Sequence, residues 1–181
     1  MLRIIAGKYR HLIIDTPSVN TTKPTTDKVR EALMSALGPS INDAVVLDLF
    51  AGSGALGIES LSRGASKAYF CDNNRLAFKT IKNNLNRLKI TDEALLVYGD
   101  YKHMLSYLKD NNIKVDIVFL DPPYALKNVY LEVIDYLLNN EILNSDGILV
   151  REWNNLIPED SRFNYHKAYK YGTVNILIER R

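Results

Sequence analysis

The stretch Val46-Leu47-Asp48-Leu49-Phe50-Ala51-Gly52-Ser53-Gly54-Ala55-Leu56-Gly57 decides the fold. An apolar run, a glycine turn and the start of a helical pattern follow one another, which is how a buried strand enters a crossover helix in an α/β protein. Gly52 and Gly54 let the backbone approach a ligand closely, and the helix beyond them presents free N–H groups at its amino end. By itself the stretch is ambiguous. Gly52 to Gly57 matches the GxGxxG pattern of dinucleotide turns, and Asp72, twenty residues after Gly52, stands where a ribose-binding acid belongs.

Outward from this stretch the chain alternates strand and helix, the signature of a parallel sheet wrapped by crossover helices. Continuous apolar runs predict strands at Val45 to Phe50, Lys67 to Asp72, Leu95 to Gly99, Val115 to Asp121 and Gly147 to Trp153. Helical spacing predicts helices near Ala55 to Arg63, Arg75 to Leu88, Lys102 to Lys109 and Val129 to Leu138. Phe163 to Lys170 and Val174 to Glu179 have only a Tyr-Gly-Thr turn between them, so they close the sheet as an antiparallel hairpin. The fold class expected is a Rossmann-like α/β fold with a seven-stranded, mostly parallel sheet, formed by residues 41–181.

Residues 1–40 have another texture. Arg3 to Ala6 and His11 to Ile14 flank a Gly-Lys turn and predict a hairpin that projects Arg3, Lys8 and Arg10. A loop rich in turn formers follows, then a helix capped by Thr25 or Thr26, with Val29, Leu33 and Leu37 on one face and Gly38-Pro39 as its stop. Net charge is only +2, yet residues 1–30 carry six basic residues against two acidic ones, while residues 31–150 carry eleven against fifteen. A basic arm on an acidic body points to nucleic acid.

Asp72 ends the second strand and Asp100 follows the third. Both carboxylates therefore emerge at the carboxyl edge of the sheet, where such folds bind ligands, although an Asp at a strand end also serves as a turn or cap residue. The most informative element is Asp121-Pro122-Pro123-Tyr124 at the end of the fourth strand. The prolines stiffen the loop and remove donors, which leaves the Asp121 carboxylate and the Pro122 carbonyl as fixed acceptors and Tyr124 as a stacking face. This set fits a planar group bearing an NH2.

Together these residues resemble a class I S-adenosylmethionine-dependent methyltransferase, and more closely the RsmD family of bacterial 16S ribosomal RNA guanine-N2 methyltransferases. The resemblance runs through Arg3-Ile4-Ile5-Ala6-Gly7, Lys23 to Leu33, Leu47 to Ala65 and Phe119 to Tyr124, essentially the whole chain. It implies that S-adenosylmethionine is the methyl donor, leaving S-adenosylhomocysteine, and that Asp48, Phe50, Ala51, Gly52, Ser53, Gly54, Asp72, Asp100 and Asp121 contact it. Within that set the turn at Ala51 to Gly54 would hold the methionine part, Asp72 the ribose and Asp100 the adenine amine. Asp121, Pro122 and Tyr124 would hold a flipped guanine. Arg3, Lys8, Arg10, Lys23, Thr25 and Arg30 would meet RNA, within the small ribosomal subunit or an assembly intermediate, with a monomer favoured. Asp72 stands where the family more often has Glu, and Lys23 replaces a usual Arg; Lys lacks the planar fork for bidentate phosphate contact.

The same four-residue motif would serve an enzyme acting on DNA adenine or protein glutamine, and an RNA-binding module without catalysis is the alternative of another class. A nicotinamide dehydrogenase would satisfy the glycines but leaves Asp121 to Tyr124 without a reason. The single cysteine, Cys71, sits in an apolar run and reads as a buried thiol in a reducing cytoplasm. His11, His103 and His166 have no metal-ligand spacing, and no apolar run approaches a membrane span or a signal peptide.

Overall fold

A computed structural model of the chain describes residues 1–18, 26–122, 128–153, 158–172 and 174–181. Two short antiparallel strands, β1 (Leu2–Arg3) and β2 (Ile13–Ile14), precede helix α1 (Asp27–Leu37) and a 3-10 turn at Gly38–Ile41. The alternating part follows as β3 (Val45–Asp48), α2 (Ala55–Ser62), β4 (Lys67–Asp72), α3 (Arg75–Arg87), β5 (Ala94–Tyr98), α4 (Tyr101–Asp110), β6 (Val115–Leu120) and α5 (Val129–Asn139). β7 (Leu143–Trp153), β8 (Tyr165–Tyr171) and β9 (Val174–Arg180) complete it.

The seven strands of the large sheet lie in the order β5-β4-β3-β6-β7-β9-β8. β3 to β7 run parallel, and β9 inserts antiparallel between β7 and β8. This is the expected sheet. From β3 the chain moves outward through β4 and β5, then crosses back to place β6 on the other side of β3. That reversal opens a crevice at the carboxyl ends of β3 and β6, where ligands bind in folds of this kind.

Neighbouring strand residues face opposite sides, so the apolar runs feed two cores. Val46, Phe70, Ile117, Phe119 and Val150 pack under α1, α2 and α3, whereas Leu47, Cys71, Val118, Leu120 and Leu149 pack under α4 and α5. Both faces are covered, which is why the central strands read as continuous apolar runs rather than alternating ones.

Several boundaries differ from the sequence reading, two of them near the centre of the sheet. β3 leaves the ladder after Asp48, because Leu49 and Phe50 already belong to the turn. β7 begins at Leu143 rather than Gly147, and its register to β6 shifts between Val115 and Ile117. A Cβ at Gly147 would lie 2.5 Å from the Leu143 side chain, so the glycine allows this irregular start.

The hairpin and α1 share the first core with the sheet, through Ile4, Tyr9, Ile14, Val29, Leu33, Met34 and Leu37. Thr26 caps α1 by accepting the Val29 amide at 3.4 Å. The hairpin itself is held on α2. Glu59, buried in that helix, accepts the amides of Ile5 at 2.9 Å and Ala6 at 3.1 Å. Arg63 bonds it at 2.9 Å, and the buried Arg30 of α1 approaches it at 3.7 Å while also donating to the Arg3 carbonyl. One residue on, Gly7 adopts φ +83° so tightly against the end of α2 that a Cβ there would sit 1.7 Å from the Ser62 carbonyl oxygen.

Removing one member of a buried ionic cluster leaves the others desolvated and uncompensated, at a cost of about 3–5 kcal/mol. Glu59→Ala is therefore expected to lower the unfolding free energy by about that amount in urea titrations. A loss below about 1 kcal/mol would show that the carboxylate does not hold the hairpin on α2.

Candidate active site at the carboxyl edge of the sheet

The glycine turn between β3 and α2 is built from the inside. Asp48, the last residue of β3, is buried and accepts the Gly57 amide at 3.1 Å, tying the strand end to the first turn of the helix. Burial raises the Asp48 pKa to about 7, against the pull of the Gly57 hydrogen bond and with a further push from the Asp72 charge. Between these anchors Gly52 and Gly54 take φ values of +56° and +77°, the left-handed region that glycine adopts without strain. A Cβ at Gly52 would meet nothing within 4 Å, so open space lies before this backbone.

Asp72 ends β4 beside the turn. Its carboxylate accepts the amides of Gly52 and Asn74, each at 2.8 Å, so one side chain sets both the glycine turn and the start of α3. Burial raises its pKa above the usual carboxylate range, while the two amide bonds pull it back. Asn84 of α3, fully buried, donates to the carbonyls of Ser53 and Asp15, both at 3.0 Å, and accepts the Asp15 amide at 2.8 Å. It fastens the chain after β2 to the glycine turn.

Asp100 follows β5 and caps α4, accepting the His103 amide at 3.0 Å with its side chain exposed. Phe50, just past β3, packs its ring 5.8 Å from that of Tyr101. Cys71 is buried, 3.4 Å from the carbonyls of Gly99 and Asp100, and burial followed by the nearby carboxylates pushes its pKa up to about 12. It is inert as a nucleophile near neutral pH.

On the other side of β3, Asp121 follows β6, and the bond from the Leu49 amide to the Phe119 carbonyl at 3.3 Å joins the two strand ends. The Asp121 side chain is open to solvent at the rim but is set in a concave edge beside the carboxylates of Glu152 and Asp48. Desolvation by the surrounding protein, then those two charges, hold its pKa above the usual carboxylate range. A shallow hollow next to it is lined by Leu33 of α1, Leu56 of α2, Val150 and Glu152 of β7 and Ile176 of β9. Pro122 is buried.

The structure thus brings Asp48, Phe50, Ala51 to Gly54, Asp72, Asp100, Asp121 and Pro122 to one edge. Tyr124, Lys23 and Thr25 lie outside the described residues. Arg3, Lys8 and Arg10 are exposed, but Lys8 sits 3.7 Å from Glu93, which precedes β5, and so lies toward the opposite edge of the sheet. Arg30 is corrected: it is 1% exposed, paired with Glu59 and with Asp27 at 3.0 Å, and cannot reach a phosphate without unpacking α1. Its charge is spent on holding the hairpin.

Three residues escape the sequence reading. Glu59 and Asn84 sit on buried helix faces, where a lone polar residue in an apolar pattern is the available signal. Glu152 lies at a strand end like Asp72 and Asp121, and the same reasoning applied to β7 would have found it. Among the described residues no group of three or more His, Cys, Asp or Glu could hold a metal ion, and no helix is long and apolar enough to cross a membrane.

The family model described as conserved hypothetical protein 95 matches residues 2–180. Ribosomal RNA small subunit methyltransferase D of Escherichia coli (strain K12) is 33% identical over 183 residues, spanning 99% of this chain and 90% of that relative. The chain belongs to the RsmD family. A second RsmD relative, ribosomal RNA small subunit methyltransferase D of Haemophilus influenzae, is 36% identical over 153 residues, 83% of this chain and 78% of its own. The solved structure of yhhF from Escherichia coli has the same architecture, with a TM-score of 0.84 and 34% identity over 99% of this chain and 97% of its own.

The raised Asp48 pKa has a consequence for stability. The folded state holds this proton up to about pH 7, whereas the unfolded chain releases it near the ordinary carboxylate value of about 4. The contribution of Asp48 is therefore present in full below pH ~4 and is lost as pH rises to ~7. Asp48→Asn is expected to gain stability relative to the parent between those pH values, read as a widening difference in urea midpoints. A difference independent of pH would mean that Asp48 is ionised in the folded protein.

Proposed function

We propose that this chain transfers a methyl group from S-adenosylmethionine to the exocyclic N2 amine of a guanine in 16S ribosomal RNA. That it is a ribosomal RNA methyltransferase follows from its family, whose relatives carry that activity in their names, and S-adenosylmethionine is the methyl donor of that family. The reading of an exocyclic amine as the acceptor is supported by one observation: Asp121 and Pro122 follow β6, whose end is bonded to the end of β3 beside the glycine turn, where their carboxylate and carbonyl would serve as a pair of acceptors, and the choice of guanine N2 follows the family resemblance.

The residues at the turn fit the methyl donor. Open space lies before Gly52, and the Asp72 carboxylate, shaped by two amide bonds, suits the ribose hydroxyls because an ionised carboxylate only accepts hydrogen bonds. Exposed Asp100 would accept the adenine amine. When bound, S-adenosylmethionine supplies an electrophilic methyl group on a sulfonium centre.

The difficulty lies in the other reactant. The lone pair of a guanine amine is delocalised into the ring and is a poor nucleophile. Two acceptors that hold both N–H bonds favour a pyramidal nitrogen, whose lone pair then points away from them toward the methyl group. Hydrogen bonds to a charged acceptor are worth ~1.5–3 kcal/mol each. Asp121 also faces the positive charge that develops on nitrogen, and the remaining advantage comes from alignment. No separate base is needed before transfer: the nitrogen becomes acidic only once methylated, and its extra proton would then pass to the Asp121 carboxylate that faces it.

The exposed Arg3, Lys8 and Arg10 would contact RNA phosphates on the hairpin, away from the reacting centre. We take the substrate to be RNA of the small ribosomal subunit or its assembly intermediate, met in the cytoplasm by a monomer of two parts, the 1–40 extension and the 41–181 methyltransferase domain.

The direct test is transfer of labelled methyl groups from S-adenosylmethionine to unmethylated small subunits and to their naked RNA, followed by nucleoside analysis. N2-methylguanosine is the expected product; label in DNA adenine or protein glutamine instead would replace this reading. Asp121→Ala is expected to reduce turnover by at least ~100-fold, with a much smaller loss of cofactor affinity measured by equilibrium dialysis. Unchanged turnover would remove Asp121 from the reaction.

The paired variant Lys8→Ala/Arg10→Ala is expected to raise KM for RNA and to flatten the dependence of log affinity on log salt by up to ~1.5, with kcat unchanged. An unaltered salt slope would take the hairpin out of the RNA interface.

A further inference from the structure

Glu152 occupies a position that methyl transfer as derived above does not use. It lies on β7, and the pairing of Leu120 with Arg151 sets it next to Asp121 on the adjoining parallel strand, at the strand spacing of about 4.8 Å. Phe119 and Val150, two residues before each of them, both pack into the core under α1 and α2, so the alternation of side chains turns Asp121 and Glu152 toward that same side. There they line one hollow, floored by Leu33, Leu56, Val150 and Ile176.

The backbone at Glu152 is firmly held. Its carbonyl accepts the Tyr130 hydroxyl at 2.7 Å, and the preceding Arg151 bonds Glu179 at 2.7 Å and the Pro158 carbonyl at 2.9 Å. Two carboxylates side by side on an apolar floor repel each other, and the Glu152 charge contributes to the raised pKa of Asp121. Such a pair suits a ligand that brings hydrogen-bond donors at two adjacent positions.

We propose that Glu152 is the base-reading residue: its carboxylate accepts the N1–H of the target guanine while Asp121 and Pro122 hold the adjoining N2 amine. This rests on the guanine-N2 reading and names the group that selects that base. Among the four RNA bases only guanine places an N–H and an NH2 next to each other on its pairing edge. Adenine and cytosine each put a ring-nitrogen lone pair beside the amine, which would face a carboxylate, and uracil flanks its N–H with two carbonyl oxygens. A wall of acceptors therefore admits guanine and repels the others. A site built to bond a particular donor discriminates strongly, because the wrong base leaves its charges unpaired.

The test uses Glu152→Gln and Glu152→Ala in the full chain on unmethylated small subunits. The glutamine variant, nearly the same shape, is expected to lose ~10-fold in kcat/KM and the alanine variant ~100-fold, with Glu152→Asp retaining more activity than either and cofactor affinity unchanged. A second readout separates base reading from a structural role. Activity requires ionised Asp121, so the parent loses activity as pH falls through that group's raised pKa. The charges facing Asp121 are Glu152 from β7 and Asp48 from β3, while Leu33 of α1, Leu56 of α2 and Ile176 of β9 are apolar. Removing the Glu152 charge should therefore move the acid limb of the kcat/KM profile to lower pH. Parent-like kcat/KM in the glutamine and alanine variants, or a loss with the acid limb unmoved, would overturn the proposal. If the parent itself makes no N2-methylguanosine, the guanine reading fails and this inference with it; if the parent makes it and only the variants behave as parent, the inference alone fails.

Discussion

The buried Glu59 carboxylate holds the two parts of this chain together. Within one helix turn it gathers two backbone amides of the hairpin, Arg63 of its own helix and, at longer range, Arg30 of α1. A charge so placed is costly to desolvate and is tolerated because several donors converge on it. The result is that a hairpin and helix too small to fold alone share a core with the sheet, and that Leu33 of α1 becomes a wall of the hollow beside Asp121. The extension that the sequence suggests as an arm for RNA thus also lines the hollow beside Asp121.

At the carboxyl edge a second economy is visible. Asp48, Asp72 and Asp121 all have pKa values raised chiefly by burial or desolvation, and each also feels or shapes a neighbour. Asp48 and Asp72 are committed to backbone amides that define the glycine turn. Asp121 and Glu152 stand at the adjoining strand ends, next to an apolar floor. In the proposed reaction this division would separate the two ligands, with carboxylates structuring the donor side and facing the acceptor side. It follows from the sheet reversal between β3 and β6, which leaves both strand ends open to the same crevice.

Much of this was legible beforehand because each signal was local. The continuous apolar runs of the parallel strands, the cap at Thr25 or Thr26, the stop at Gly38 and the absence of a helix between β8 and β9 all express themselves within a few residues. The acids at strand ends were legible for the same reason. What escaped depends on contacts between distant parts of the chain. Arg30 reads as one more basic residue in a basic segment, and only its neighbours Glu59 and Asp27 show that its charge is internal. Lys8 reads as part of an RNA-facing arm, yet its turn lies against the far end of α2, beside Glu93.

The sequence by itself determined the α/β architecture, the glycine turn and the acceptor motif, because periodicity, turn chemistry and motif spacing are written in consecutive residues. Tertiary structure alone decided which charges face inward and which strand ends meet. The register of β6 against β7 places Glu152 next to Asp121, thirty-one positions away in the chain, and the packing of α1 on α2 decides that Arg30 is buried. Those outcomes depend on strand pairing and desolvation summed over the whole fold, and no local pattern carries that sum.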